Sequence, residues 1–326
     1  QEGETHASAA SYNNHWGVSL NLARMPAASA YAVIEIGMNH RGEIAPLARL
    51  ARPHVAIITN VEPVHIGHLG SLTAIAEEKS DIFLGLEPDG VAIAKRDSPQ
   101  FALMLAAAER RGARVISFGH HPEADVRAMA VELDGDASNV TIDALGRELT
   151  YRLGAPGAHL VDNSLAVVAA LLALGVDPVD SLQALARISP PPGRGQRTVL
   201  RICDGELLLI DESYNASPAS VRAALATLGT VPRSRCPRRV AVLGDMLELG
   251  RSAAELHIGL KEAIDAAGVD LVFACGPEMA RLFAVVEPGR QGMWAETSDG
   301  LAAGLLDAVQ PGDAVMVKGS LGSRMA

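Results

Sequence analysis

Short apolar runs alternate with helix-like segments along most of this chain, and that alternation limits its fold more than any single residue does. The runs at residues 31–37 and 55–61 are two examples, and each is followed by a segment with helical spacing. Strands that alternate with helices pair in parallel, with the helices as crossover connections. The sequence therefore predicts an α/β fold whose ligand-binding residues gather at the carboxyl ends of parallel strands.

Three consecutive prolines at residues 190–192 mark the clearest boundary, since they cannot continue a helix and form a stiff connection. Before them, residues 125–153 change to a pattern typical of small antiparallel hairpins. After them, a hairpin and a new strand-helix alternation follow. We predict two domains: residues 1–192, a mostly parallel sheet with small antiparallel hairpins, and residues 193–326, an open α/β domain of Rossmann-like type.

Composition narrows the class of protein. A chain of 326 residues with 48% hydrophobic and 20% charged content is ordinary globular material, large enough for two cores. Its formal net charge of -10 argues against nucleic acid or an anionic membrane surface as the main partner. There is no apolar run of membrane-spanning length and no signal peptide. Cys203, Cys236 and Cys275 lack metal-ligand spacing and indicate reduced thiols of a cytosolic protein.

One group of polar residues follows the first two apolar runs: Glu35, Asn60 and His65 at predicted strand ends, and Lys79 on the next helix. An ionised Glu in a two-sided apolar sheet is unfavourable unless a cation or donor meets it. Pairing with a backbone group or an arginine explains a lone Glu, whereas the neighbouring Asn and His favour a metal or phosphate site. Glu and His lean toward Mn²⁺ or Zn²⁺, because Mg²⁺ prefers oxygen ligands. Lys79, as an ammonium, cannot bind a cation, and by itself it indicates a solvated helix residue.

Three further groups stand at strand ends or helix starts. His159 and Asn163 lie one turn apart where a helix begins, so that a capping role explains one of them, while the pair is also suited to bind a ligand. Arg194 follows the prolines, and Asp211 ends an apolar strand before a polar loop and a helix. Residues 244–250, Gly-Asp-Met-Leu-Glu-Leu-Gly, follow another strand. Each group alone is more often structural than functional, but their order is specific.

These motifs, taken in order, resemble the Mur ligases. The motifs that carry the resemblance are Asn13-Asn14-His-Trp-Gly17, Glu35-Ile-Gly37-Met38-Asn39, Asn60 to His65, Lys79, Gly157-Ala-His159 to Asn163-Ser-Leu165-Ala166, Gly193-Arg194, Asp211 to Asn215, and Gly244 to Gly250. The resemblance implies a central ATPase domain followed by a Rossmann-like ligase domain. The relative that adds a diamino acid carries an Asp-Asn-Pro-Arg motif in its last domain, and this chain has none.

Within this family the resemblance implies a cytoplasmic, ATP-dependent ligase of peptidoglycan precursor synthesis. It would join D-alanyl-D-alanine to UDP-N-acetylmuramoyl-tripeptide through an acyl phosphate, with ATP and Mg²⁺ as cofactors and Mn²⁺ as an alternative metal. A monomer without nucleic-acid or membrane partners is expected. Two alternatives stay open: a ligase similar to folylpolyglutamate synthase, and a non-catalytic nucleotide-sugar or metal-binding module.

The resemblance also assigns roles to individual residues. Glu35 and His65 match the metal ligands, and Lys79 matches a lysine that members of the family carbamylate, which turns a cation into an anionic oxygen ligand. The residues that match contacts to ATP are Asn163, His159, Arg194, Asp211 and Asn215. Those that match contacts to the other substrates are Asn13, Asn14, Lys318, Ser320 and Arg324, the last three toward the carboxylate of the incoming dipeptide.

The chain departs from the family in one important respect. No Gly-Xaa4-Gly-Lys-Ser/Thr motif is found in its 326 residues, although the family binds ATP phosphates with such a loop. Residue 1 falls where the helix after that loop should end. We therefore expect a fragment that lacks the loop, an amino-terminal UDP-binding domain and a closing helix, and that is inactive alone.

Overall fold

A computed structural model describes residues 3–8, 11–63, 66–134, 136–202 and 205–326. The α-helices are α1 His15–Arg24, α2 Ile44–Ala51, α3 Ile66–Leu69, α4 Leu72–Ser80, α5 Phe101–Arg110, α6 Ala158–Ala173, α7 Pro178–Leu185, α8 Pro218–Gly229, α9 Ala253–Ile258, α10 Lys261–Ala266, α11 Met279–Phe283 and α12 Ser298–Ala308. The strands are β1 Thr5–Ala7, β2 Tyr31–Val33, β3 Val55–Ile58, β4 Val91–Lys95, β5 Arg114–Gly119, β6 Val126–Asp134, β7 Ala137–Ala144, β8 Arg147–Leu153, β9 Gln196–Ile202, β10 Gly205–Glu212, β11 Arg238–Gly244, β12 Leu271–Cys275, β13 Gln291–Ala295 and β14 Asp313–Lys318.

The chain divides into two compact units. The first contains Gln1–Val131, Val140–Tyr151 and Asp162–Leu185. The second contains Glu132–Asn139, Arg152–Val161 and Ala186–Ala326. No helix in the described part of the chain is long and apolar enough to cross a membrane.

One sheet has the strand order β3-β4-β5-β6-β7-β8. Its first four strands pair in parallel, and α5 is the crossover between β4 and β5. Leu145 and Gly146, which join β7 to β8, both have positive φ angles, 55° and 84°. Two such residues form a primed turn, which joins antiparallel strands. The predicted parallel sheet with a small antiparallel part is confirmed.

The other large sheet has the order β13-β12-β11-β14-β10-β9. All its neighbours are parallel except β9 and β10, which form the hairpin expected after the prolines. Buried side chains cover both faces: Leu225, Leu243 and Met316 belong to one cluster, and Val242 and Phe273 to the other. This is the predicted second open α/β domain.

The prediction of a buried strand at residues 31–37 is wrong. Only β2, Tyr31–Val33, forms there, and it pairs with β1 in a two-stranded sheet. Val33 is 62% exposed, and Glu35 lies beyond the strand and is exposed. Because β1 is its single strand neighbour among the described residues, β2 has one edge without a strand partner there.

Helix starts differ from the sequence expectation where a side chain caps them. Asn14 caps the start of α1, since its Oδ1 accepts from the N–H groups of Trp16 and Gly17 at 3.1 and 2.9 Å. The segment with helical spacing after the first apolar run becomes helical only at Ile44, where buried Glu78 accepts from the N–H groups of Gly42 and Ile44. Side-chain acceptors of this kind satisfy the N–H groups that a helix start leaves unpaired.

Candidate functional site

Glu35 is held by the chain's own Asn13. The Asn13 Nδ2 donates to Glu35 Oε1 at 2.8 Å, and the N–H of Gly37 donates to the Asn13 carbonyl at 2.9 Å. A Cβ at Gly37 would lie 2.7 Å from Asn13 Nδ2, so that glycine is needed for this contact. Asn13 therefore orients a carboxylate that remains exposed, whereas Asn14 of the predicted substrate pair is used as the cap of α1.

Lys79 is not the solvated helix residue that its sequence position indicates. Its Nζ donates to the carbonyl of Asn60, at the end of β3, at 2.9 Å, and the residue is half-buried. Burial lowers the pKa of the Lys79 amine, and the nearby Glu62 charge opposes that shift. A lowered pKa enlarges the neutral fraction of the amine, which is the form that adds carbon dioxide. His65, the predicted partner, lies outside the described residues.

The donor set tests whether Mg²⁺ fits. In the described part of the chain, no group of three or more His, Cys, Asp or Glu is arranged to hold a metal ion. Glu35 offers a carboxylate, and Lys79 offers nothing as an ammonium. Mg²⁺ prefers oxygen ligands and is often held by one or two carboxylates, so the Glu35 carboxylate suits it, and Lys79 would add an oxygen ligand only as a carbamate.

The first turns of α6 carry His159, which is half-buried, and Asn163, which is exposed. Between them, Asp162 receives two donors. Lys95 Nζ lies 2.6 Å from its Oδ2, and His120 Nε2 lies 3.1 Å from its Oδ1. Lys95 ends β4 and His120 follows β5, so this trio stands at the carboxyl edge of the sheet. The trio was not predicted from the sequence, although a Lys and a His at the ends of buried strands were a usable signal.

Asp211 ties the loop after β10 to the glycine after the prolines. Its Oδ2 accepts from the N–H of Gly193 at 2.9 Å, and its Oδ1 accepts from the N–H and hydroxyl of Ser213 at 3.0 and 2.6 Å. Burial raises the pKa of the Asp211 carboxyl, but these hydrogen bonds outweigh it and leave the pKa below its ordinary value. The Arg194 guanidinium lies 4.2 Å from the centroid of the Tyr214 ring.

Lys318 is buried, with 3% of its surface exposed. Its Nζ donates to Glu212 Oε2 at 3.2 Å and to the Asn215 carbonyl at 3.0 Å. Glu212 and Lys318 are register partners on β10 and β14, which explains their pairing. Burial lowers the pKa of Lys318, and Glu212 opposes the shift. The side chain thus fixes the Asn215 loop to the sheet.

Ser320 and Arg324 differ in exposure: Ser320 is buried and Arg324 is exposed. The Ser320 hydroxyl is buried and accepts from the N–H of Leu247 at 3.0 Å. Arg324 is exposed and has a left-handed backbone, with φ 49°. Of the three residues predicted to receive the dipeptide carboxylate, Arg324 is the exposed cation.

The loop at residues 244–250 is held through Asp245, which is 7% exposed. Its Oδ1 accepts from the N–H of Met279 at 2.7 Å, and its Oδ2 accepts from the N–H of Glu278 at 3.3 Å. A Cβ at Gly276 would lie 2.4 Å from the Asp245 Cγ, so the carboxylate fills the space beside a glycine. Asp245 is therefore an internal cap for α11.

His257 completes the same loop. It is fully buried, and its Nε2 accepts from the N–H of Met246 at 3.0 Å while its other ring nitrogen lies 2.7 Å from the Ala253 carbonyl. This pair of partners requires the proton on Nδ1 and a neutral ring. The Asp245 carboxylate and the N–H of Met246 are thus both bound within the fold.

Comparison with known proteins places the chain in a family. Residues 1–171 match the family described as Mur ligase middle domain, and residues 193–321 match the one described as Mur ligase, glutamate ligase domain. The chain belongs to the Mur ligase family, as the sequence motifs predicted.

Individual relatives are more specific. The chain is 34% identical over 288 residues to the UDP-N-acetylmuramoyl-tripeptide--D-alanyl-D-alanine ligase of Escherichia coli (strain K12), which covers 85% of the chain and 60% of that protein. It is 33% identical to the enzyme of the same name from Bacillus subtilis (strain 168), over 98% of the chain and 68% of that protein. The crystal structure of MurF from Acinetobacter baumannii superposes with a TM-score of 0.86 at 29% identity, covering 99% of the chain and 69% of that structure. The chain thus spans 60% to 69% of these relatives.

Proposed function

We propose that the natural protein is an ATP-dependent ligase that joins D-alanyl-D-alanine to UDP-N-acetylmuramoyl-tripeptide in peptidoglycan precursor synthesis. The observation that carries the proposal is similarity along 98% of the chain to an enzyme whose name states those two substrates. We place the reaction in the cytoplasm, in a monomer with no nucleic-acid or membrane partner. The domain boundary is proposed between residues 192 and 193, where the second family match begins.

The proposed reaction has two steps. The γ-phosphoryl group of ATP is transferred to the terminal carboxylate of the tripeptide, which gives ADP and an acyl phosphate. The amine of D-alanyl-D-alanine then attacks the acyl carbon, phosphate leaves, and the nitrogen loses a proton as the amide forms. When bound, Mg²⁺, or Mn²⁺ in its place, neutralises charge on the phosphates. The residues that would hold it are Glu35, His65 and Lys79 as a carbamate.

The structure supports different roles for the remaining predicted residues. Asn163, exposed on α6, is proposed to contact the adenine together with His159, and Arg194 is proposed to contact the nucleotide. Asp211 and Asn215 act there through the loop that they shape, since Asp211 already accepts three hydrogen bonds. Arg324 receives the dipeptide carboxylate. Asn13 and Asn14 are proposed to face the UDP-tripeptide side.

Lys318 and Ser320 are proposed to act indirectly in dipeptide binding. Both side chains are buried and hydrogen-bonded to the chain. They therefore shape the segment that presents Arg324.

The test is ligation by the natural full-length protein, followed by mass spectrometry of the product and by ADP release. We expect ADP release over many turnovers only when ATP, UDP-tripeptide and D-alanyl-D-alanine are all present, with a product longer by that dipeptide. Addition of glutamate to a folate would favour the alternative ligase. Nucleotide binding without any product would favour the non-catalytic module.

A further inference from the structure

Three charged or titratable side chains from separate elements meet at the start of α6. Lys95 and Asp162 are each only 17% exposed at the side chain, and their Nζ and Oδ2 atoms are 2.6 Å apart. His120, 47% exposed, approaches the other oxygen of Asp162 at 3.1 Å. Solvent screens the attraction in such a shielded ion pair less than in an exposed one. The two donors to Asp162 come from the ends of β4 and β5.

His120 is itself held in place. Asp97 Oδ2 accepts from the His120 N–H at 2.8 Å. Gly119, just before it, has φ 143°, and a Cβ there would lie 1.7 Å from the same Asp97 oxygen. The glycine lets the carboxylate reach the backbone, and the carboxylate aims the His120 ring at α6.

We propose that Lys95 and His120 are positioning residues for the nucleotide base, acting through Asp162. In a helix, residues three and four apart share a face, so Asp162 lies on the face of His159 and directly beside Asn163. Two donors on one carboxylate oppose rotation and sliding of this turn. The inference rests on the proposed function, which assigns His159 and Asn163 to the adenine.

A second contact keeps the opposite side of the turn in place. Tyr151 Oη and Ser164 Oγ are 2.5 Å apart in the buried interior, and burial raises the pKa of Tyr151 to about 12, so the phenol stays neutral. With this hydrogen bond intact, removal of Lys95 should loosen the orientation of α6 without unfolding it. That separates a positioning role from a structural one.

The test compares Lys95→Met, Asp162→Asn and Lys95→Arg in the natural full-length protein. We expect Lys95→Met and Asp162→Asn to raise KM for ATP about tenfold, which corresponds to about 1.4 kcal/mol. KM for D-alanyl-D-alanine and kcat should stay within about twofold, and Lys95→Arg should retain most of the wild-type KM because it keeps the charge. The matched control is Asp177→Asn, which breaks the exposed Arg147–Asp177 pair and should leave KM for ATP unchanged.

Two results would overturn the inference. One is an unchanged KM for ATP in Lys95→Met; the other is an equal rise in KM for ATP and for the dipeptide. If the wild-type protein shows no ligation, the proposed function fails, and titration calorimetry with a non-hydrolysable ATP analogue decides the inference by the same variants. Equal affinity in all of them, or no binding to the wild type, rejects it.

Discussion

The two units use the polar residues at their strand ends in different ways. After β2 and β3, the Glu35 carboxylate is exposed and Lys79 has one backbone partner. After β11 and β14, Asp245 and Ser320 are buried and bonded to their own chain. Strand ends are where ligands bind in an open α/β sheet, but burial and internal partners decide whether a side chain is available. The ends of β2 and β3, here called the open edge, are therefore available to a ligand. The ends of β11 and β14, here called the scaffold edge, hold the fold together.

The largest effect is expected at the open edge. Lys79→Ala should lower turnover of the natural protein by about 100-fold, the scale for loss of one group that stabilises charge in the transition state. Formate or acetate, entering the vacated space, should restore part of it. The folded protein should lose little stability, because one hydrogen bond contributes only about 1 kcal/mol. Steady-state assays at limiting Mg²⁺ and thermal unfolding measure the two quantities.

Glu77→Ala is the matched control for that substitution. Glu77 is on the same helix and is exposed, with an ion pair to Arg41 at 3.6 Å, so its removal should change neither turnover nor rescue. Near-normal turnover of Lys79→Ala would show that Lys79 is not a metal ligand and would reduce the proposed ligands to Glu35 and His65.

The opposite pattern is expected at the scaffold edge. Asp245→Ala should lower the free energy of unfolding by about 3 kcal/mol, since it leaves the buried N–H of Met279 and the partly buried N–H of Glu278 without their acceptor. Denaturant unfolding measures this, and Asp245→Asn should lose less because its amide oxygen still accepts. Glu278→Ala, which keeps the capped N–H, serves as the control. If Asp245→Ala is as stable as the wild type while ligation is lost, this edge is not a scaffold.

At the end of β5, the His120 side chain is partly exposed while its backbone N–H is bound by Asp97. A smaller loss of stability is expected there. Gly119→Ala should cost about 2 kcal/mol, because the new Cβ meets the Asp97 carboxylate and the backbone is in a region that L residues rarely adopt. Gly112→Ala is the control, with positive φ but nothing within 4 Å of its added Cβ. Equal unfolding midpoints for the two variants would show that backbone strain, and not the Asp97 contact, sets the cost.

Sequence patterns were sufficient for the fold and for some caps, because these depend on neighbours in the chain. The alternation of apolar runs predicted both large sheets. A cap such as Ser71, whose Oγ accepts from the N–H of Ala74 at 3.1 Å at the start of α4, likewise depends on near neighbours. The burial of Glu35 was predicted wrongly, because coverage of a strand depends on distant segments. Residues 253–267, one helical segment by sequence pattern, contain two helices, α9 and α10.

The site was predicted less completely for the same physical reason. Lys95 and Asp162 are 67 positions apart and His120 and Asp162 are 42 apart, so no local pattern joins them. Residues 244–250 were correctly singled out as a motif. That Asp245 caps a helix within the fold follows only from its contact with residues more than 30 positions away.

The smallest effect concerns pH at the scaffold edge. Burial lowers the pKa of Lys318 in the folded protein, against the pull of Glu212 and with Arg194 adding repulsion. The unfolded chain, with an ordinary lysine pKa near 10.5, therefore binds this proton more tightly. It follows that the folded state gains stability as pH rises through the window between the lowered pKa and 10.5. Because Lys318→Met has no such proton, the stability of the wild type relative to this variant should increase from pH 7 toward pH 10.5 in parallel urea titrations. A difference that stays constant or shrinks over that range would mean that burial does not disfavour the Lys318 ammonium. The end of β14 would then be open to solvent, as the Glu35 carboxylate is, and would not be a scaffold.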